Sequence, residues 1–133
     1  VLQASKRVTS MYPSDRQYTK EHEWVLVSGT TARIGITDYA QEQLGDVVFV
    51  ELPEVGQAFE QGAQFGSIES VKAVSDLYCP MAGKVVDVNT ALADRPETVN
   101  ADPHGAWIIA IELSDPDQTT GLLDAAAYAE LVS

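Results

Sequence analysis

The chain has 133 residues, of which 45% are hydrophobic, and its 8 basic and 20 acidic residues give a formal net charge of −12 at pH 7. This length and composition favour one domain with a modest core. The acidic charge excludes nucleic acids and anionic lipid surfaces as partners and favours partners with basic docking surfaces. No run approaches the roughly 20 apolar residues of a membrane span, and the single cysteine excludes an internal disulfide.

The first ten residues differ in composition from the rest of the chain. They contain Lys6 and Arg7 but no acidic residue. Such a segment is typical of a vector-derived extension or of the remnant of a processed targeting peptide. We therefore expect residues 1–10 to be an extension of one of these kinds and residues 11–133 to form a single domain.

Two strands and a helix are predicted ahead of the first core strand. Alternating apolar and polar residues predict strands at 23–27 and 31–36, joined by a tight turn. Thr37 is suited to cap the start of a helix and Gly45 to end it. The apolar run 46–52 is rich in β-branched residues and predicts a core strand.

A β-hairpin with a lysine at its tip is predicted in the middle of the chain. Alternating patterns at 65–70 and 73–78 flank a short polar break that contains Lys72. From residue 21 onward the sequence has only one other lysine, and the acids Glu69 and Asp76 stand on either side of the tip. These features indicate a lysine that a modifying enzyme could recognise, rather than an ordinary solvated one.

The second half of the chain predicts two further strands and a helix. Alternation predicts a strand at 83–89, a loop at 90–105 and a closing strand at 107–113. The Ala-rich segment 122–132 predicts a C-terminal helix that packs its apolar side against the sheet. The predicted fold is therefore mainly β, with peripheral helices.

Residues for an intrinsic active site are scarce. His22 and His104 are far apart in the sequence and have no metal-ligand spacing, and Cys79 is the only thiol. The sequence contains neither a Gly-rich phosphate loop nor a nucleophile-elbow motif. We therefore expect no metal site and no catalytic activity of the domain's own.

Five motifs carry a resemblance to a known family. They are His-Glu-Trp-Val at 22–25, Gly-Ile-Thr-Asp-Tyr-Ala-Gln at 35–41, Leu-Gly-Asp-Val-Val-Phe-Val-Glu-Leu-Pro at 44–53, Glu-Ser-Val-Lys-Ala at 69–73 and Val-Asn at 88–89. In order and spacing they resemble the glycine cleavage system H proteins, over nearly the whole chain. The resemblance implies a flattened β-barrel/sandwich hybrid of the lipoyl and biotinyl carrier type.

The resemblance also implies a modification site. Lys72 would carry a covalently attached lipoate, and Glu69, Ser70, Val71 and Ala73 would form the hairpin that the attaching enzyme recognises. The hard chemistry would then belong to the cofactor rather than to the protein. The domain would be a non-catalytic carrier that shuttles an aminomethyl group derived from glycine.

The implied partners are the other components of that system. They are the pyridoxal-phosphate glycine decarboxylase (P-protein), the aminomethyltransferase (T-protein), the dihydrolipoamide dehydrogenase (L-protein) and lipoate-attaching enzymes. We expect the carrier to be a monomer. We expect it in the bacterial cytoplasm, with the mitochondrial matrix as the alternative.

Two acids are candidates for holding the loaded arm. The aminomethyl group bears an amine that is cationic at neutral pH, and a carboxylate in the family's cleft could pair with it. The resemblance points to Glu23 and Asp76 for this role. Trp24 and Trp107 are interpreted as core aromatics rather than arm contacts.

Three alternatives to this function remain open from the sequence. A lipoyl relay, which would donate lipoyl groups to other complexes, needs the same attachment lysine. A biotin carrier would share the fold and the hairpin, but Val71 and Ala73 replace the methionines that usually flank a biotinyl lysine. An interaction domain with an unmodified lysine is the third.

One loop also departs from the family: Pro-His-Gly-Ala-Trp at 103–107 is one residue shorter than the usual Pro-Tyr-Gly-x-Gly-Trp.

Overall fold

The computed structural model describes residues 12–133, and the extension predicted at residues 1–10 lies outside the described residues. In chain order the elements are β1 (Gln17–Tyr18), β2 (Glu23–Ser28), β3 (Thr31–Ile36), α1 (Asp38–Leu44), β4 (Val47–Glu51), β5 (Ala58–Phe59), β6 (Gln64–Ser70), β7 (Val74–Tyr78), β8 (Gly83–Val88), α2 (Ala91–Asp94), α3 (Thr98–Ala101), β9 (Ile109–Leu113) and α4 (Ala125–Val132). Strands dominate and pair antiparallel, which confirms the predicted mainly-β class.

The strands form two sheets that share one core. The larger sheet has the order β1-β2-β3-β9-β8-β5, and the smaller has the order β4-β6-β7. Ile34 and Ile111 of the larger sheet and Ile68 of the smaller are fully buried in the same hydrophobic cluster. This is the sandwich form of the predicted barrel/sandwich hybrid, because the two sheets do not close into one barrel.

The smaller sheet carries the predicted hairpin. β6 and β7 pair antiparallel, with Glu69 opposite Val74 as the last pair before the tip. The other neighbour of β6 is β4, an edge strand. The register between β4 and β6 shifts between Val47 and Phe49, and the side chains of Val48 and Phe49 are half-exposed. The central hairpin is therefore confirmed. The strand predicted at 46–52 is confirmed as β4, but it lies at the edge of the sheet and buries only Val47 and Val50 in the core.

The helix α1 starts and ends at the residues that the sequence indicates. The Thr37 side chain accepts a hydrogen bond from the Ala40 amide at 3.2 Å, so Thr37 is the N-cap. Gly45 ends the helix with φ 78° and ψ −159°, a conformation that is essentially restricted to glycine. Leu44 is the residue that the helix buries in the core.

The prediction of an unbroken loop at 90–105 is wrong. The segment forms two single-turn helices, α2 and α3. Each buries one apolar side chain in the main core, Leu92 in the first and Val99 in the second. Helices of this length are unstable in isolation, so it is the burial of these two side chains that holds the turns in place.

The C-terminal helix is confirmed, but it begins at Ala125 instead of residue 122. Leu123 pairs with Tyr18 instead: the Tyr18 amide donates to the Leu123 carbonyl at 2.8 Å, and the Leu123 amide donates to the Tyr18 carbonyl at 2.7 Å. Asp124 then caps the helix by accepting from the Ala127 amide at 2.8 Å. The bridge keeps the chain extended up to the cap, which delays the helix.

A second, aromatic cluster lies between α4 and the larger sheet. Tyr18 and Tyr128 stack with ring centroids 4.9 Å apart, and Tyr12 meets Tyr128 edge-on at 5.0 Å. Trp24 is buried in this cluster, as predicted. Trp107, also predicted to be a core aromatic, is only partly buried, and the Arg33 guanidinium lies 5.0 Å from the centroid of its ring.

No helix within residues 12–133 is long and apolar enough to cross a membrane.

The contact between Trp24 and Gly35 gives a test of this packing. A Cβ at position 35 would lie 2.5 Å from Trp24 Cζ2, so Gly35→Ala should lower the free energy of unfolding by about 1–3 kcal/mol through overpacking. Because alanine is otherwise preferred to glycine inside a strand, any loss must come from the indole. Urea unfolding measures the effect, and the loss should shrink in a Trp24→Phe background. An unchanged midpoint would contradict the packing described here.

Candidate functional site

The exposed tip of the β6–β7 hairpin is built around Ser70. Its amide donates to the Ala73 carbonyl at 2.8 Å, and its side-chain oxygen accepts from the amides of Lys72 at 3.3 Å and Ala73 at 3.0 Å. These bonds close a tight turn in which Lys72 is exposed. The lysine therefore stands where the sequence predicts it, on an ordered turn.

A second contact ties this tip to the end of α1. The Val71 amide donates to the Asp46 carbonyl at 3.0 Å. The Lys72 side chain lies over Gly45, with its Cε 3.3 Å from the position that a Cβ of residue 45 would take. The stem of the lysine thus rests against the backbone that ends the helix, whereas the ε-amine remains at the surface.

A cleft opens beside the tip, between β7 and α1. Its volume is about 380 Å³. One wall is formed by residues 73–77 of the hairpin and the other by side chains of α1, of which Tyr39 and Leu44 are examples. Glu21 and His22 close the end that lies away from the tip. An arm attached to Lys72 could fold back into this cleft.

A second cavity continues along the same strand. It has a volume of about 250 Å³ and is lined by residues 78–80, by Glu23 and by Leu122. Glu21 lines both cavities, so it stands at the boundary between them. The two cavities follow β7 in succession, from the lysine tip towards the larger sheet.

Glu23 is the most buried acid of this region, with 2% of its surface exposed. Its Oε1 accepts from the Thr19 hydroxyl at 2.7 Å, and its Oε2 accepts from the Tyr78 amide at 3.1 Å. Burial raises the pKa of this carboxyl to about 7, although both hydrogen bonds oppose the rise. The side chain therefore holds the edge of β7 and borders the second cavity.

Asp76 is placed differently from Glu23. It is exposed, it lines the first cavity, and its Oδ1 accepts from the Gln64 side-chain amide at 3.0 Å. The structure therefore brings the two predicted acids to neighbouring cavities along β7 rather than to one shared cleft. Their role as partners of a cationic arm remains a prediction.

His22 is a cleft residue that the sequence did not single out for binding. Its backbone has φ 70°, which is unusual for a residue other than glycine. Its Nδ1 lies 2.8 Å from the Tyr128 hydroxyl, which is itself 2.7 Å from the Thr37 hydroxyl. Burial lowers the pKa of His22, so the neutral ring is favoured. The imidazole is thus hydrogen-bonded into a side-chain network from a backbone conformation that is costly for a residue with a side chain.

The shortened loop at 103–107 is hydrogen-bonded to Arg16, to Trp24 of β2 and to the start of α1. Trp24 Nε1 donates to the Pro103 carbonyl at 3.0 Å, and Arg16 donates to the His104 carbonyl at 2.6 Å. His104 Nε2 accepts from the Asp38 amide at 3.2 Å, which satisfies a free amide in the first turn of α1. The loop therefore supports the helix that forms one wall of the cleft.

Other reactive groups do not converge near the lysine. Burial raises the pKa of the Cys79 thiol to about 12, which disfavours the nucleophilic thiolate. Within residues 12–133 no group of three or more His, Cys, Asp or Glu side chains is placed to bind one metal ion. The exposed lysine and the cavities beside it are thus the features of this site that can serve chemistry.

The fold and the site define a two-sheet β domain that presents a single lysine on an ordered hairpin. The family model for the glycine cleavage H-protein matches residues 16–133. This chain therefore belongs to the glycine cleavage H-protein family, which confirms the resemblance seen in the sequence.

Individual relatives agree with the family model. The chain is 60% identical over 121 residues to a glycine cleavage system H protein of Myxococcus xanthus, covering 90% of this chain and 94% of the relative. It is 61% identical over 117 residues to one from Symbiobacterium thermophilum, covering 87% and 91%. The crystal structure of a glycine cleavage system H protein from Mycobacterium marinum superposes with a TM-score of 0.81 at 44% identity, covering 89% of this chain and 96% of that one.

The buried carboxyl of Glu23 predicts a pH-dependent stability. Between the ordinary pKa of 4.5 and the raised value of about 7, the unfolded chain releases a proton that the folded protein keeps. Rising pH therefore destabilises the wild type through this group, by on the order of 3 kcal/mol once the pH exceeds both values. Glu23→Gln has no such penalty, so its stability relative to wild type should increase over this interval.

Urea unfolding of both proteins at about pH 5 and about pH 8 measures this difference, because the other carboxyl groups cancel in the comparison. Glu130→Gln, on the exposed side of α4, is the matched control for the replacement of one glutamate by glutamine. A Glu23→Gln difference that stays constant with pH would refute the raised pKa.

Proposed function

We propose that this protein carries a lipoyl group on Lys72 and serves as the lipoyl carrier of the glycine cleavage system. The observation that carries the proposal is the exposed lysine on a hydrogen-bonded turn, next to a cleft that continues along β7. Membership of the H-protein family supplies the system in which such a carrier acts. The domain is a carrier component, and we propose that it performs no catalysis of its own.

The residues at the tip fit a lipoyl group. The ε-amine of Lys72 is exposed, so an attaching enzyme can reach it to form an amide. Bound lipoate would supply a flexible arm whose reduced sulfur holds the aminomethyl cargo. The chain's own part is to hold the attachment point on a rigid turn and to offer a partly enclosed space beside it. Lys84, in contrast, lies within β8 and is paired on one side with Ala58 of β5 and on the other with Glu112 of β9.

The surface around the tip suggests how partners dock. Lys72 is the only basic residue of the β6–β7 hairpin. Val71 and Val74 are 70% and 65% exposed on either side of it, and Glu69 and Asp76 add negative charge nearby. A partner with an apolar contact surface and a basic rim would match this arrangement. Glycine decarboxylase, the aminomethyltransferase, dihydrolipoamide dehydrogenase and lipoate-attaching enzymes are the partners that we propose.

The relatives support a proposal for the setting of this activity. The relatives described above are bacterial, which favours the bacterial cytoplasm over a mitochondrial matrix. We propose that the domain acts as a monomer. The biotin-carrier alternative gains no support from the family match, whereas a lipoyl relay would use the same lysine and would be tested by transfer of the group to a second acceptor.

Lys72 is predicted to be the sole lipoylation site. Lys72→Arg should abolish the mass increase that a lipoate ligase gives to the apoprotein, because a guanidinium cannot be acylated under these conditions. Intact-mass spectrometry measures the gain, and Lys84→Arg is the matched control that should be modified as wild type. Lipoylation of Lys72→Arg at the wild-type rate would overturn the assignment.

Glu23 and Asp76 are predicted to prolong the lifetime of the aminomethyl cargo. Each carboxylate could pair with the cationic amine and reduce its exposure to water, where the cargo breaks down to formaldehyde and ammonia. An exposed pair is worth about 0.2–1 kcal/mol, so Asp76→Asn should speed release at most several-fold. Glu23→Gln should have the larger effect, because Glu23 is almost fully buried.

The measurement is formaldehyde release over time from loaded protein after removal of the decarboxylase. Glu130→Gln, on the exposed side of α4, is the control for the loss of one negative charge. Release rates equal to wild type in both variants would remove these acids from the proposed site while leaving the role of Lys72 intact.

A further inference from the structure

Asn100 makes the most extensive side-chain contacts around the loop that follows α1. Its Nδ2 donates to the Gly45 carbonyl and to the Gln41 side-chain oxygen, both at 2.9 Å. Its Oδ1 accepts from the Val47 amide at 2.8 Å. One amide thus connects the last turn of α1, the residue that ends it and the first residue of β4. It comes from α3, in the segment predicted as a loop.

The loop that Asn100 clamps is the one on which the lysine tip rests. The backbones of Gly45 and Val47 are hydrogen-bonded to the Asn100 side chain, and Asp46 lies between these two residues in the sequence. The Asp46 carbonyl accepts the Val71 amide at 3.0 Å, and the Gly45 backbone lies against the stem of Lys72. A continuous set of contacts therefore runs from Asn100, through residues 45–47, to the residue that bears the ε-amine.

We propose that Asn100 is a positioning residue for Lys72, and that it fixes the direction in which the ε-amine is presented to the enzyme that acylates it. This inference rests on the proposed lipoyl-carrier function. The hydrogen bonds of the Asn100 side chain go to Gln41, Gly45 and Val47, so it acts on Lys72 through the clamped loop. Gly45 contributes to the same positioning, because a side chain at residue 45 would take the space of the lysine stem.

The physical reason is that enzymatic acylation needs a defined approach of the amine. A misplacement of about 1 Å can reduce the rate of a positioned reaction by up to ~100-fold. Loss of the clamp would let residues 45–47 move and would weaken the Val71–Asp46 bond. We therefore expect Asn100→Ala to lower kcat/KM for lipoylation of the apoprotein by about 10-fold, mainly through kcat.

The experiment compares Asn100→Ala with a matched control in the full-length apoprotein. Asn89→Ala also removes a side-chain hydrogen bond to a backbone carbonyl, the 2.7 Å bond from Asn89 Nδ2 to Trp107, but it leaves residues 45–47 untouched. Lipoylation by a purified lipoate ligase is followed by intact mass at several apoprotein concentrations. Asn100→Ala should be slow, and Asn89→Ala should react as wild type even if it unfolds at a similar denaturant concentration.

Two further readouts separate positioning from general loss of structure. Amide hydrogen exchange of Val71, measured by NMR, should become faster in Asn100→Ala but not in Asn89→Ala. Acylation of Lys72 by a small reagent such as acetic anhydride, read by peptide mass spectrometry, should keep its wild-type rate, because such a reagent needs only exposure of the amine. Equal ligase kinetics in the two variants, or unchanged exchange of Val71, would overturn the proposal.

A second pair of variants covers the case in which Asn100→Ala does not fold. Gly45→Ala strains the backbone of the clamped loop and also places a methyl group against the lysine stem, whereas Gly29→Ala has a positive φ but meets nothing within 4 Å. Slow lipoylation of Gly45→Ala alone supports the proposed positioning, and equal rates overturn it. A wild-type protein that accepts no lipoate would instead overturn the proposed function, so the two failures are distinguishable.

Discussion

The packing of two sheets into one hydrophobic cluster is the constraint on which the rest of the structure depends. The hairpin enters this cluster through Ile68 and Leu77, which are almost fully buried. Beyond them the strands leave the core, and the side chains at the tip become exposed. The hairpin can therefore present the lysine at the surface on an ordered turn, because its base is fixed by burial and its tip by hydrogen bonds.

Glu23 and Asp76 differ in how far each carboxyl group is removed from water. Asp76 is exposed, so it retains its hydration and interacts weakly with any charge beside it. Glu23 has lost its water, and the energy of the buried charge is only partly recovered from Thr19 and the Tyr78 amide. A cation brought close to Glu23 would therefore gain more than one brought close to Asp76. The second cavity, which Glu23 borders, is also the more apolar of the two along β7.

Local patterns predicted the elements whose causes are local. Period-2 alternation marked the hairpin, and the preferences of Thr37 and Gly45 marked both ends of α1. The helices α2 and α3 were missed because a single turn has no detectable period and depends on one buried side chain each. The burial of Glu23 was also missed, since acidic residues are seldom buried. The hydrogen bonds of the Asn100 side chain join segments more than fifty residues apart, so no local sequence pattern could predict them.

The register shift in β4 has a consequence for how this protein behaves when concentrated. β4 is an edge strand of the smaller sheet, and it exposes Val48 and Phe49. A flat edge of this composition would invite a strand from a neighbouring molecule to add to it. The shift bends and twists the strand, so a regular ladder of hydrogen bonds cannot continue outward. Together with mutual repulsion between molecules of net charge −12, this irregularity disfavours edge-to-edge association although the strand exposes two large apolar side chains.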